Sequence, residues 1–274
     1  MPVSGKNVMF VAWILFVVIS FANAFSYNIA LAQPLLPEDL TICGIYEAGP
    51  GLPVGKIQSV WGSVVVIHAN MACGYQAQIG LPLFQGDTII ALGNGSTGCK
   101  LSDGSVIRLA QNSKLTIIRS AHDSKRKSSI SSVSLPLGKV FFQIAKLDDF
   151  EPREFKVATD AVVARAKQAD FMLLVTEEIN EFVVIEGADL EITSVEDPEQ
   201  KILLSKLQRA VIARGMLPST VEMMPAEDVN LLAGEFLQVP AGPLPEVLSI
   251  PPGEGEPTED VWEKEIEIDI ELDF

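Results

Sequence analysis

Histidines, cysteines and paired carboxylates are the side chains that most often carry out chemistry, and this 274-residue chain contains few such groups at useful spacing. Its two histidines, His68 and His122, are far apart, and neither has metal-ligating residues at the usual spacing. We expect His68 to be a partly buried side chain on a core strand and His122 to be exposed. The three cysteines form no Cys-x-x-Cys pair, which excludes a zinc knuckle or a dithiol redox motif. The sequence therefore indicates no catalytic residue, no metal site and no cofactor.

An apolar leader comes first in the chain. Lys6 is followed by an uncharged stretch with an apolar centre from Val8 to Phe21, and then by two small-residue patterns, the second ending at Ala32. This order is typical of a secretory signal peptide over residues 1–32. The alternative is an uncleaved membrane anchor, because the stretch is long enough to span a bilayer. Under either interpretation we expect the rest of the chain to be periplasmic or otherwise extracytoplasmic.

Export allows the cysteines to form disulfides. Cys99 falls on the apolar face of a predicted strand and Cys73 in a turn-like stretch, so a Cys73–Cys99 disulfide is one hypothesis. It would close a loop of about 26 residues and would stabilise the protein by about 3.5 kcal/mol in the chain-entropy model. Cys43 is an alternative partner. Three free thiols, with Cys99 as a small buried hydrophobe, are the other alternative.

The strongest structural signal lies between Gly86 and Leu109. Apolar residues alternate with polar ones on both sides of Asp103-Gly104-Ser105, which is typical of two half-buried strands. A two-residue turn would place the apolar residues of the two strands on opposite faces. An odd-numbered turn places them all on one face, namely Cys99, Leu101, Ile107 and Leu109. We therefore predict a bulged turn or a β-arch corner at Asp103, Gly104 and Ser105.

Several segments outside this hairpin have a recognisable organisation. The stretch 33–56 has Pro and Gly residues without a period and is predicted to be a tether, and Val60 to Ala69 is predicted to be one core strand. The polar segment Ser120 to Ser134 is predicted to be an exposed loop or hairpin tip. Pro225, the acids after it and the apolar residues Val229, Leu231, Leu232 and Phe236 predict a short helix within 219–239. Residues 240–262 form a Pro/Gly/Glu-rich linker.

The chain ends in an alternating acidic segment, 263–274. Between Glu254 and Phe274 there are ten acids and one lysine, a net charge of −9 within a total of −16. A strand with this pattern would have one row of carboxylates and one apolar face, formed by Ile266, Ile268, Ile270, Leu272 and Phe274. Such a strand is not stable alone. It is either a solvated acidic tail or an interaction strand that docks on a sheet edge of this or another protein.

Five motifs, in order, resemble the FecR domain family. They are GDTI with LSDGSVIRLAQNSKLTI, LPLGKVFFQIAKL, EFKVATDAVVARAKQADFMLLV, EFVVIEGADLEI and LLSKLQRAVIARGMLP. Together they cover about residues 57–218. There is one departure, since the family reads Arg-Gly-Thr-x-Phe where this chain has Arg165-Ala166-Lys167-Gln168-Ala169-Asp170-Phe171. The missing glycine puts in doubt any close approach of the backbone there.

The short strands recur at about ten-residue intervals, which predicts an all-β fold. We expect a compact solenoid-like or sandwich-like double layer, with one short helix after the β domain. The resemblance implies an extracytoplasmic, non-catalytic role in signal transduction. Classical members of the family bind a sigma factor with a cytoplasmic helical arm, and their exported domain receives a signal from an outer-membrane transporter. Only seven residues precede the apolar stretch here, so we expect a stand-alone exported domain without that arm.

The leading hypothesis is a sensing or protein-interaction module that binds another envelope protein. The alternative is a periplasmic carbohydrate- or cell-wall-binding protein, for which Tyr75 and Trp262 would be the candidate aromatic contacts. A secreted enzyme is least favoured, because no active-site constellation is present. The net charge of −16 excludes nucleic acid as a partner. A membrane contact is expected only through the N-terminal segment, if that segment is not cleaved.

Overall fold

A computed structural model describes residues 35–37, 40–69, 71, 73–187, 190–214, 216 and 221–237. These residues form eighteen strands and one helix, all within a unit that ends at Val239. Over this part of the chain, no helix combines the length and the apolar character needed to cross a membrane. The predicted leader, the linker 240–262 and the acidic strand 263–274 lie outside the described residues.

The strands are short except for two neighbours in the middle of the chain. In chain order they are β1 Thr41–Ile42, β2 Gly55–Trp61, β3 Val64–Ile67, β4 Cys73–Gln76, β5 Pro82–Leu83, β6 Thr88–Ala91, β7 Ser96–Leu101, β8 Val106–Leu109, β9 Ser113–Asp123, β10 Ser128–Gln143, β11 Arg153–Ala158, β12 Val162–Ala166, β13 Ala169–Val175, β14 Ile179–Gly187, β15 Leu190–Ser194, β16 Lys201–Leu204, β17 Gln208–Ala213 and β18 Val221–Met223.

Two sheets are built from these strands, and β10 belongs to both. The first sheet has the order β1-β4-β3-β6-β9-β10-β11-β12-β15-β16, and the second has the order β5-β2-β7-β8-β10-β13-β14-β17-β18. The pairings are antiparallel except β1 with β4 and β10 with β11. The N-terminal half of the chain therefore lies at one end of both sheets and the C-terminal half at the other.

A single hydrophobic core lies between the two sheets. Every other residue of most strands points into it, and its members come from both sheets. In the β7–β8 hairpin, Cys99, Leu101, Ile107 and Leu109 share the buried face. The turn of this hairpin has three residues, 102–104, between Leu101 and Ser105, and the Leu101 N–H donates to the Ser105 carbonyl across it. Asp103 and Gly104 lie within this turn. The prediction of an all-β double layer is confirmed.

The helix packs on the outer face of the second sheet. Helix α1 runs over Ala226–Leu237 with Glu227 and Asp228 in its first turn, so the predicted short helix is confirmed. Val229 and Phe236 are buried against Phe141, Met172 and Val183 in a second, smaller cluster. Leu231, which the periodicity placed with the apolar residues, is instead 72% exposed.

The prediction of one core strand over Val60 to Ala69 is wrong. The chain turns at Gly62 and Ser63, so that β2 ends in the second sheet and β3 begins in the first. Two strands that each bury one face have the same apolar composition as one strand buried on both. Hydrophobic patterning cannot separate these cases, because it does not record which sheet a residue joins.

The prediction of an exposed loop or hairpin tip over Ser120 to Ser134 is correct only at the centre of the segment. Most of this segment belongs to the long β9–β10 hairpin, and only its tip around Lys125 to Lys127 projects as a turn. Ser129 and Ser131 are buried. Serine hydroxyls tolerate burial when they find hydrogen-bond partners, and these two find Asp103 in the neighbouring turn.

Candidate functional site

The strands at the C-terminal end of the two sheets leave their outer edges unpaired within the described residues. In the first sheet β16 pairs only with β15, and in the second β18 pairs only with β17. Three large apolar side chains on these strands are exposed: Leu203 by 55%, Val221 by 41% and Met223 by 67%. We call β16 and β18 the open edges.

Backbone alternation shows which groups of the open edges are available for pairing. The Met224 N–H donates to the Leu207 carbonyl just before β17. Backbone groups of an antiparallel strand alternate in direction, so the N–H and C=O of Glu222, two residues earlier, also face β17. Those of Val221 and Met223 point outward. In the first sheet, Gln200 just before β16 faces β15, because its carbonyl accepts the Ser194 N–H. The direction of the backbone groups alternates along a strand, so the outward N–H and C=O groups of β16 belong to Lys201 and Leu203, one and three residues after Gln200.

An ion-pair cluster holds β18 against the sheet. Arg209 on β17 donates through Nε to Glu181 at 2.6 Å and through a terminal nitrogen to Glu222 at 3.4 Å. The hydrogen bond that Arg209 donates to Glu181, together with the negative charges of Glu181 and Glu222, raises the pKa of Arg209 above its ordinary value. These contacts fix the β18 backbone while no other described strand pairs with its outer side, which is the arrangement that strand addition requires.

The N-terminal edges of the sheets are different, because both are very short. β1 has two residues and lies parallel to β4, and β5 consists of Pro82 and Leu83. Proline has no N–H to offer to an added strand, so β5 is a poor template for pairing. Neither of these edges is a good docking strand.

A disulfide fastens β1 to β4, and it corrects the predicted pairing. Cys43 is bonded to Cys73, with Cα atoms 5.9 Å apart, and Cys99 is free and buried. The Cys73–Cys99 hypothesis is wrong because Cys99 points into the core, where its Sγ contacts the Ile107 carbonyl at 3.5 Å. Burial raises the pKa of the Cys99 thiol to about 12, so this thiol is not reactive at neutral pH.

Beside the disulfide lies a buried pair, His68 and Asp87. His68 Nδ1 is 2.9 Å from Asp87 Oδ1, and both side chains are fully buried. The Phe84 N–H donates to the other carboxylate oxygen at 2.7 Å. Burial raises the pKa of the Asp87 carboxyl above its ordinary value, although the hydrogen bonds from Phe84 and His68 act in the opposite direction. His68 is thus more buried than expected, and its partner is a carboxylate.

Aromatic rings enclose the imidazole of His68. Ring centroids of Tyr46, Tyr75 and Phe84 lie between 5.3 and 5.6 Å from that of His68. Its Nε2 is buried and has no hydrogen-bond partner among the described residues. Among the described residues, both side chains of the pair are fully buried. We interpret it as a cohesive contact that joins β3, β6 and the arm before β2, which carries Tyr46.

The predicted structural turn organises a second buried polar cluster. Asp103 accepts the Ser105 N–H at 2.8 Å through one oxygen and the Ser129 and Ser131 hydroxyls at 3.5 and 3.4 Å through the other. Gly104 has a φ of 88°, a conformation that glycine adopts without steric cost. The cluster links the β7–β8 turn to β10, and all the polar atoms named here are partnered, so we assign it a structural role.

The missing glycine of the Arg165–Phe171 segment is compensated from the opposite strand. Gly187, with a φ of 91°, lies so close to Gln168 and Ala169 that a Cβ built on it would be 2.6 Å from the Gln168 carbonyl oxygen. The close backbone approach therefore exists, with the glycine on β14. The sequence could not show this, because it does not pair the two positions.

The remaining predicted residues have mixed outcomes. His122 is not exposed as expected: its ring stacks on Phe150 with centroids 5.2 Å apart, and its Nδ1 is buried. The proposed interaction strand from Ile266 to Phe274 lies outside the described residues. Within the described part of the chain, no group of His, Cys, Asp or Glu side chains is arranged to hold a metal ion.

Sequence reasoning missed the His68–Asp87 pair, the buried serines and the open edges. Asp87 follows a glycine in a turn, which gave no sign of its partner 19 residues earlier. The open edges depend on strand order, and no local pattern encodes it. The exposed Leu203 and Met223 were the only available signal, and isolated exposed apolar residues are common.

Comparison with known proteins supports the family resemblance. Residues 87–188 match the family described as FecR protein. No curated protein matches. Two crystal structures of a putative anti-sigma factor from Parabacteroides distasonis ATCC 8503 are similar, at 18% and 17% identity with TM-scores of 0.42 and 0.41. In each case the similarity covers 53% of this chain and 62% of the other chain.

Proposed function

Because residues 87–188 carry the FecR domain identified above, we propose that this protein is a non-catalytic sensing or protein-interaction module of the cell envelope. In this proposal the domain is extracytoplasmic and its partner is another envelope protein. The domain contributes to signal transduction by holding that partner. It has no cofactor and does not bind nucleic acid.

The observation that carries this proposal is the pair of open edges at one end of the sandwich. Strand addition needs outward N–H and C=O groups for affinity and exposed side-chain contacts for specificity. β18 offers both through Val221 and Met223, and β16 offers both through Leu203. Monomeric sheets usually protect such edges, so their exposure here favours a partner strand.

The first experiment locates the partner on the open edges. A photo-crosslinking amino acid is placed at Met223, at Leu203 or, as a control, at Ile79, which is 68% exposed near the opposite end. We expect the same envelope protein to be captured from Met223 and Leu203 but not from Ile79. Equal capture from all three positions would contradict a docking site at the open edges.

A proline pair then tests whether the contact is strand addition. Met223→Pro removes an outward N–H, so it should abolish binding of the captured protein and leave stability nearly unchanged. Glu222→Pro removes an N–H that faces β17 and should destabilise the fold by about 1–3 kcal/mol, the cost of leaving its acceptor unpaired. Binding is measured by titration calorimetry and stability by urea unfolding. Full binding by Met223→Pro would rule out main-chain pairing at β18.

The alternative, carbohydrate binding, gains no specific support. Tyr75, one of its two candidate contacts, is 4% exposed, and Trp262 lies outside the described residues. Trp61 is 38% exposed at the end of β2, contrary to its expected place in the core. Tyr46, the other ring of this exposure among the described residues (39%), lies on the arm before β2 and packs on His68 and Tyr75. The two rings are not shown to form one stacking platform, so we do not propose this function.

The acidic C-terminal strand is a further part of the proposal. Ile266, Ile270 and Phe274 share one predicted face, and burying even three such side chains would contribute roughly 5 kcal/mol, less the cost of ordering the segment. We expect deletion of 263–274 to lower the melting temperature or to abolish partner capture, whereas replacing Asp269 and Glu271 by Ser should do much less. A truncated protein with unchanged melting and capture would show that the segment is a solvated tail.

Export can be tested directly. We expect processing after Ala32, because the apolar stretch Val8 to Phe21 is followed by small-residue sites. Mass spectrometry of the envelope fraction should then find no peptide upstream of residue 25. Intact Met1 to Ala32 in mature material would instead establish a membrane anchor.

A further inference from the structure

A cleft of about 1170 Å³ opens between the two sheets, away from the open edges. The first sheet contributes Lys114, Leu137 and the β11–β12 turn at Asp160 and Ala161. The second sheet contributes the β13–β14 turn from Val175 to Asn180, with Arg214 after β17. The cleft is larger than most small-molecule pockets, which favours an extended ligand.

The floor of the cleft contains a polar side chain that has no partner. Asn180 on β14 is 4% exposed, and its strand position places it on the same face as the fully buried Phe182 and Val184. Its Oδ1 is buried and accepts no hydrogen bond from the described residues. Leaving a buried acceptor unpaired is costly, and such groups in native proteins call for an explanation.

We propose that this cleft binds an extended peptide segment of another protein, whose main-chain N–H donates to Asn180 Oδ1. An asparagine side chain carries the same amide group as a peptide bond, so it can accept from and donate to one peptide unit. The broad χ2 preference of an amide lets the oxygen turn toward an incoming chain. Leu137, Val175 and Ile179 provide apolar contacts for the side chains of the peptide.

The charges around the cleft set the kind of peptide it takes. Arg214 and Asp160 pair with each other at 3.0 Å. Glu177 and Glu178 also line the cleft, next to Arg214, whose N–H donates to the Glu178 carbonyl, and Lys114 is the other cation. The rim therefore has one excess negative charge, which favours a peptide with apolar residues and a single Lys or Arg over an acidic one.

A short described piece of the chain, residues 35–37, also reaches this cleft. Leu35 belongs to a stretch that includes Pro37 and forms part of the cleft wall. With Leu35 in place, the described residues leave this volume open and leave the Asn180 oxygen without a hydrogen-bond partner.

This site deepens the proposed protein-binding function and rests on it in part, but it uses different residues from the open edges. A protein could dock on β18 without using the cleft, and a peptide could fill the cleft without pairing to β18. Variants at Asn180 and at Met223 therefore separate the two proposals.

The test begins with the stability of the Asn180→Leu variant of the full chain. If the amide is kept for a ligand, an apolar side chain of similar size should fit among Phe182, Val175 and Ile212, so the melting temperature should equal or exceed that of the wild type. A lower melting temperature would show that Asn180 has a structural role and would overturn the proposal.

Binding is then tested with a phage-displayed library of random linear peptides. We expect the wild type to enrich apolar peptides that carry Lys or Arg, and the synthetic peptides to bind Asn180→Leu about tenfold more weakly. Met223→Pro should bind them as the wild type does. Methylating the peptide nitrogen that meets Asn180 should cause the same loss. No enrichment, equal binding by Asn180→Leu, or loss in Met223→Pro alone would each overturn the cleft proposal, the last result pointing to the open edge.

Discussion

The two ends of the sandwich differ in how their last strands are held. At the N-terminal end, the Cys43–Cys73 disulfide and the His68–Asp87 pair fix very short edge strands. At the C-terminal end, β16 and β18 are held by backbone pairing on one side and by the surface ion pairs Lys201–Glu191 and Arg209–Glu222. The first arrangement blocks further pairing, and the second leaves it available.

This difference indicates that the N-terminal end of the sandwich contributes mainly to stability and the C-terminal end mainly to recognition. Buried, partnered groups and covalent links resist local opening, whereas edge strands with exposed side chains open most easily. A module that must accept a partner strand needs a rigid body behind its open edge. A preorganised edge loses little conformational entropy on binding, so more of the interaction energy appears as affinity. We expect substitutions at the closed end to change stability and those at the open end to change binding.

The largest expected effect is at the buried pair. Asp87→Ala leaves the Phe84 N–H and His68 without their acceptor in a dry environment, and should cost about 3–5 kcal/mol of unfolding free energy. Urea unfolding of the purified protein measures it. The control is Asp149→Ala, whose side chain is 81% exposed and whose loss should change stability by less than about 0.5 kcal/mol. Similar small effects from both would mean that the pair does not hold the closed end.

Loss of the disulfide should have the next largest effect. It spans 30 residues, so the variant Cys43→Ser/Cys73→Ser should lose about 3.5 kcal/mol in the chain-entropy model. Reductant should destabilise the wild type and Cys99→Ala to a similar degree but leave the double variant unchanged. Protection of Cys99→Ala from reductant would indicate instead that Cys99 takes part in the bond.

The β7–β8 turn lies between the two ends and should give an intermediate effect. Gly104→Val forces a β-branched residue to a φ of 88°, which should cost about 1–3 kcal/mol through backbone strain. The melting temperature measures the loss, and Ser102→Val is the neighbouring control. A melting temperature unchanged by Gly104→Val would show that the turn tolerates ordinary side chains.

The smallest expected effect on stability is at the open edge. Leu203→Ser removes a side chain that is 55% exposed, so stability should change by less than about 0.5 kcal/mol. Partner capture should nevertheless fall sharply, while Leu231→Ser on the exposed side of α1 should affect neither property. If Leu203→Ser destabilises the protein as much as Gly104→Val does, β16 is part of the core and not an open edge.

Local patterning predicted the elements whose burial follows from their own residues. Alternation over Cys99 to Leu109 placed four side chains on one buried face, and Pro225 with the acids after it located the start of α1. These predictions succeed because a strand or helix repeats on a fixed period, so the buried face can be read from neighbouring positions. The motifs that resemble the FecR domain family cover about residues 57–218, and the family match confirms the part from 87 to 188.

The candidate sites could be predicted far less well. Val60 to Ala69 was assigned to one strand because its two halves bury apolar residues in different sheets. Ser129 and Ser131 were assigned to a loop because their acceptor, Asp103, comes from a distant turn. In both cases the deciding neighbour is absent from the local sequence.

By itself, the sequence determined that the chain is all-β with one short helix, and which residues of the central hairpin face the core. Only the tertiary structure decided that Cys43 pairs with Cys73, that His68 contacts Asp87 and that the Asn180 oxygen has no hydrogen-bond partner among the described residues. The physical reason is the distance along the chain over which each feature is determined. Periodicity and turn chemistry act over a few residues. A disulfide, a buried hydrogen-bonded pair or an open edge depends on the order of strands in the sheets, which is fixed only when the whole core packs together.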